Sequence, residues 1–187
     1  MKALLPAALS VLVVTTPVFA DEVTDTLDAI RKAYDEGNIS KALEELSFAQ
    51  AQMQAMKADS FAQFLPEAPE GWEREISTEM SGPMMFAGGG TGAEATYRKD
   101  DESFTISLMA DSPLIGMMSG LLSNPMVAMA SGGKVHRVGD MKVLSQDGSL
   151  SALVGSNILV QAEGAAEDVM MPVVETIDFA ALEDFKP

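Results

Sequence analysis

His136, in GKVHRVG, is the only histidine among 187 residues, and the chain has no cysteine. A zinc site would have to be unusually carboxylate-rich, because zinc takes most of its ligands from histidine and cysteine. A Ser-His-Asp arrangement is arithmetically open, since serines and acids abound. No G-x-S-x-G elbow singles out one serine, however. Gly88 to Gly92 (GGGTG) could cradle an anion with backbone N–H groups. It lacks the lysine and Ser/Thr of a P-loop and precedes an expected strand, so a hairpin loop is expected. Asp100, Asp101 and Glu102 lack the spacing and closing glutamate of an EF-hand, and a solvated turn is expected there.

Methionine remains, with fourteen in the chain. Met53-x-x-Met56, Met126-x-x-Met129 and the pairs Met84-Met85, Met117-Met118 and Met170-Met171 carry the thioethers that select Cu(I). Methionine also fills irregular cores. Adjacent pairs diverge by about 100° on a helix or point to opposite sides of a strand, so one pair cannot clamp one ion. Packing is the expectation and copper the alternative.

Four of these methionines lie in Ser112–Gly133 (SPLIGMMSGLLSNPMVAMASGG), twenty-two residues without a charge. Ser112-Pro113 reads as a helix start. Asn124-Pro125 should break or restart the helix, and Gly132-Gly133 should end it. Four serines, an Asn-Pro and four glycines make it a poor membrane span. Two helical pieces hinged at Asn124-Pro125 and largely buried on a sheet are expected. Met117, Met118, Leu121, Leu122, Met126 and Met129 are the candidate surface for a protein partner, a small apolar ligand or a lipid.

The N-terminus, MKALLPAALSVLVVTTPVFA, has one basic residue, an apolar run and small residues at its end. That is the layout of a secretory signal peptide, with cleavage expected after Ala20. Without cysteine there is no lipidation site or disulfide. Loss of Lys2 with the signal would take the net charge from −16 to −17. Such a charge repels nucleic acid and anionic headgroups. A periplasmic protein with no transmembrane segment after cleavage is expected.

Four segments follow from the patterning: the signal at 1–20, a helical hairpin at 21–60, a connector at 61–70 and an α+β domain at 71–187. In the hairpin, Val23, Leu27, Ile30 and Tyr34 form one stripe, and Ala42, Leu46, Ala49, Met53 and Met56 another. Gly37-Asn38 separates the helices, and Ser40 can cap the second. After the connector FAQFLPEAP, strands are expected around Trp72 to Met80, Glu94 to Arg98 and Ser103 to Met109. Beyond the uncharged stretch come strands at Lys134 to Val138, Met141 to Ser145, Leu150 to Val154 and Ile158 to Ala162. Asp147-Gly148 is a strong hairpin signal. A last helix should start near Glu167 and turn Val169, Met170, Val173, Val174 and Ile177 inward. The fold class is therefore α+β: an N-terminal helical hairpin, then a mostly antiparallel sheet covered by a broken helix and a C-terminal helix.

AYDEGNISKALEELSFAQ resembles the middle of a single tetratricopeptide unit in the spacing of Tyr34, Gly37, Ile39, Ala42, Leu46 and Ala49. That resemblance implies close approach at the small residues, with the larger ones filling the gap. A single unit cannot bury its face alone. The element order and the GW…Y…FTISL pattern resemble a PsbP/Mog1-like α/β sandwich over about 110 residues. The whole chain resembles uncharacterised exported proteins of Gram-negative bacteria, which implies a location and no activity. With no catalytic constellation and no cofactor signature, a non-catalytic exported binding or interaction protein is expected, with Cu(I) handling and apolar-ligand or lipid binding as alternatives.

Overall fold

The computed structural model describes residues 19–78, 90–113, 115–116, 119–120, 124–130 and 132–185. The chain forms two compact units, Met1–Gln52 and Met53–Pro187, with the division falling inside a helix. Among the described residues there are five helices and a seven-stranded antiparallel sheet, an α+β fold whose helical hairpin precedes the sheet.

The hairpin is α1 (Phe19–Asp35) and the first part of α2 (Ile39–Ala62). Gly37, at φ +73°, ends α1. Its N–H donates to the Tyr34 carbonyl, and the Asn38 N–H donates to the Ala33 carbonyl. This double closure needs a left-handed residue, which glycine supplies at no steric cost. Asn38, not Ser40, caps α2: its Oδ1 accepts from Lys41 N–H at 3.2 Å. Small side chains line the buried seam, namely Thr26, Ala33, Ala42 and Ala49. Leu27, Tyr34 and Leu46, expected to pack, are exposed instead, as are Met53 and Met56. Alanine brings the backbones so close that larger neighbours have no room between them.

The sheet order is β1-β2-β3-β7-β6-β5-β4. Two meanders compose it: β1 (Glu73–Ser77), β2 (Thr91–Lys99) and β3 (Glu102–Ala110), then β4 (Lys134–Val138), β5 (Met141–Gln146), β6 (Ser149–Val154) and β7 (Ile158–Glu163). β3 and β7 join them in register Ile106↔Ala162, Leu108↔Val160, Ala110↔Ile158. The turn between β5 and β6 places Asp147 and Gly148 both at positive φ, as the Asp-Gly pair predicts.

One face of the sheet carries the main core. Tyr97, Phe104, Ile106, Leu108, Leu150, Val154 and Val160 meet Phe61 and Leu65 from the end of α2 and the connector. The C-terminal helices α4 (Glu167–Val174) and α5 (Phe179–Asp184) add Met170, Val173, Phe179 and Leu182. α4 ends at Val174, so Ile177 reaches the core from the following turn. Tyr97 stacks on Phe104 with centroids 4.6 Å apart, and Trp72 meets Phe104 edge-on at 5.1 Å. The connector is tied down by polar bonds to one carbonyl. Pro66 O accepts from Tyr97 Oη at 2.6 Å and from Arg74 Nη1 at 2.8 Å, while Arg74 also bonds Leu65 O and Glu67. Burial pushes the Tyr97 phenol well above its ordinary range, so it stays a donor.

Leu108→Ala should lower the unfolding free energy by about 2–5 kcal/mol, because it opens a cavity at a fully buried position. Tyr97→Phe should cost about 1 kcal/mol, since Pro66 O keeps its Arg74 donor. Urea unfolding of both variants checks the ranking; equal losses would remove the phenol bond from the account.

Candidate functional site

The chain leaves β3 in the middle of the sheet and re-enters at β4, four strand spacings away. At about 4.8 Å per spacing the link must cover roughly 19 Å. Residues 111–133 make this crossing, and Asp111, at φ +57°, turns the chain out of β3 while its carboxylate accepts from Lys57 Nζ at 2.7 Å. Pro113, Ile115, Gly116, Ser119 and Gly120 are helical, with Ser112 and Ile115 buried. The second face of the sheet buries Met109, Leu144 and Leu159. Gly92 there lies so close to β3 that a Cβ would fall 2.1 Å from Leu108 O. This explains one residue of the glycine run: it permits close strand approach at the start of β2. Gly88 and Gly89 lie outside the described residues.

Asn124 and Pro125 begin a new helix, α3 (Pro125–Ala130). Asn124 Oδ1 accepts from Met126 N–H, and its carbonyl accepts from Val127 and Ala128. Gly132, at φ +87°, closes the C-terminus by bonding Met129 O, while Gly133 bonds Ala128 O. A side chain at Gly133 would meet Leu144 Cδ1 at 2.7 Å and Ala128 O at 3.0 Å, so the closure after α3 is packed tightly against β5. Ala128 is the buried residue of α3; Met126 is 80% exposed, Met129 67% and Val127 47%. The expectation of a largely buried stretch therefore fails at α3, where the large apolar side chains point outward and the small one inward. Met126 and Met129 lie three apart on the exposed side of one helix. Met117, Met118, Leu121 and Leu122 lie outside the described residues, as does Leu114.

His136 sits on the edge strand β4 and faces α4. Its Nε2 lies 3.0 Å from Glu167 Oε1, without the alignment of a hydrogen bond. Ser145 Oγ donates to Glu167 Oε2. The carboxylate thus stands between serine and histidine. In a nucleophilic triad the histidine takes the serine proton and the acid orients the histidine. Here the serine proton is held by an acid, and the group ties the sheet edge to the first turn of α4. The Ser145 hydrogen bond, opposed by desolvation and aided by His136 and Lys134, holds the Glu167 carboxyl below its ordinary value of 4.5. Among the described residues, no three His, Asp or Glu side chains are arranged to hold a metal ion. No described helix is long and apolar enough to cross a membrane.

A second concavity lies on the main-core side. Phe64, Pro66, Ala68 and Pro69 from the connector face Pro172, Val173 and Thr176 across a groove of about 540 Å³. No local pattern marks it in sequence, because its walls come from segments a hundred residues apart.

Because its folded pKa is lowered, Glu167 contributes stability that is present above pH 4.5 and lost as pH falls through the folded value. Glu167→Gln should therefore flatten the acid limb of a stability-versus-pH curve below about pH 4.5, with Ser145→Ala doing so in part. Denaturant melts between pH 3 and 6 measure this; an unchanged acid limb in both variants would remove the clasp.

No protein-family model matches this chain, and no curated protein or solved structure matches it either.

Proposed function

We propose that this protein is an exported, non-catalytic binding protein of the periplasm that engages a protein partner through the outward surface of α3. The observation that carries the proposal is the inversion in that helix: Ala128 packs inward while Met126, Val127 and Met129 face water. Thioether side chains are flexible and polarizable, and surfaces rich in them adapt to varied partner shapes. The crossover anchors this surface at both ends, through Ile115 and Ser112 near β3 and through the Gly132-Gly133 closure at β4. In Ser145–Glu167–His136 the carboxylate, and not the histidine, accepts from the serine, which is not the order of a nucleophilic triad. The signal-like N-terminus and the absence of cysteine support export.

Met126→Ser with Met129→Ser removes two exposed side chains and should change folding stability by less than about 0.5 kcal/mol. Site-specific photo-crosslinking from position 127 in living cells should yield a discrete adduct in the parent protein and none in the double variant. A variant that unfolds, or an adduct that survives, defeats the proposal.

A second reading has its own observation: Met126 and Met129 share one exposed turn, where residues three apart have Cβ atoms about 5–6 Å from each other. Two thioethers so placed suit Cu(I) once a further ligand joins them. Titration with Cu(I) against a competing chelator should then give sub-micromolar affinity that Met129→Leu abolishes. Binding weaker than micromolar would end this reading.

A further inference from the structure

The hairpin repeats itself. Shifting α1 by sixteen residues onto α2 superposes Val23 on Ile39, Thr26 on Ala42, Leu27 on Leu43, Ile30 on Leu46 and Ala33 on Ala49. Both members of each seam pair are buried, Thr26 with Ala42 and Ala33 with Ala49. The Thr26 hydroxyl lies 3.3 Å from Gln52 Oε1 on the facing helix, in keeping with an antiparallel seam.

At 100° per residue, the stripe Val23–Leu27–Ile30–Tyr34 is centred about 80° from the α1 seam. The stripe Ile39–Leu43–Leu46–Gln50 has the same offset in the same rotational sense from the α2 seam. In antiparallel helices equal offsets of one sense fall on the same side of the pair. The two stripes therefore form one continuous face. Its 4-3-4 spacing is that of a helix-packing seam. Leu27, Tyr34, Ile39, Leu43 and Leu46 lie on it, each between 42% and 67% exposed. No stripe position carries a charge, in a chain of net charge −16.

We propose that this face docks on the same face of a second copy of the chain, forming a two-fold four-helix assembly. Two properties select a second copy. Both stripes are uncharged and largely apolar along their length, so the face is complementary to itself, as an isologous contact requires. The area also suffices: large apolar side chains left half exposed put on the order of 100 Å² each in water. The five together offer roughly 500 Å² per copy and about 1,000 Å² per pair, the lower bound for a specific interface. The face is separate from α3, so it holds or fails independently of the function proposed above.

Sedimentation equilibrium of the purified protein at micromolar concentration should give a dimer. Leu27→Ser with Leu43→Ser alters two exposed positions and should weaken dimerisation by about a hundredfold while leaving the far-UV spectrum unchanged. The cysteine-free background allows a second test that does not depend on that variant. Leu43→Cys should cross-link between copies under mild oxidation, whereas Lys32→Cys, on the opposite side of α1, should not. A monomeric parent protein, a dimer indifferent to both serines, or equal cross-linking at 32 and 43 each overturns the proposal. Met126 and Met129 are intact in all these variants, so the partner adduct at position 127 reports separately on α3.

Discussion

The pairing of β3 with β7 is the contact on which the sheet depends. Each meander is built from local hairpins, but neither alone has a buried middle. Their junction along Thr105–Ala110 and Ile158–Glu163 puts β3 and β7 at the centre. Leu108 and Val160 then serve the main core, while Met109 and Leu159 are buried on the opposite face. The same junction sends the chain from the sheet centre to its far edge. Of that link, Ser112, Ile115 and Ala128 are buried, while Met126, Val127 and Met129 stay in water.

The tethers that flank the sheet are polar and differ in kind. On the connector side, one carbonyl, Pro66 O, collects a phenol and a guanidinium in a largely buried setting. Such bonds matter chiefly because leaving the partners unpaired in the interior would be costly. On the β4 edge, Glu167 collects a hydroxyl and an imidazole near solvent. That arrangement has the residue types of a nucleophilic triad in another order, with the carboxylate between the hydroxyl and the imidazole.

Much of the fold was legible in the sequence because it rests on short-range rules. Alternation of Phe104, Ile106 and Leu108 identifies a strand, Asp147-Gly148 a two-residue turn, and Gly37 and Gly132 helix ends, since each reports a local backbone requirement. Burial in the hairpin departs from hydrophobicity, because the large apolar residues stay outside. The helices meet through Thr26, Ala33, Ala42 and Ala49. The signal was the seven-residue spacing of small residues within each helix and the sixteen-residue repeat between them, not hydrophobicity.

The candidate site divides along the same line. Sequence by itself determined that a helix would begin at Asn124-Pro125 and close at Gly132-Gly133, because proline, glycine and capping chemistry act within a few residues. Tertiary structure alone decided that Ala128 faces the sheet while Met126 and Met129 face water, since that depends on how closely α3 approaches β4 and Leu144. Likewise, only folding brings Ser145, His136 and Glu167 together. Their meeting depends on where α4 is laid down, which no spacing along the chain encodes.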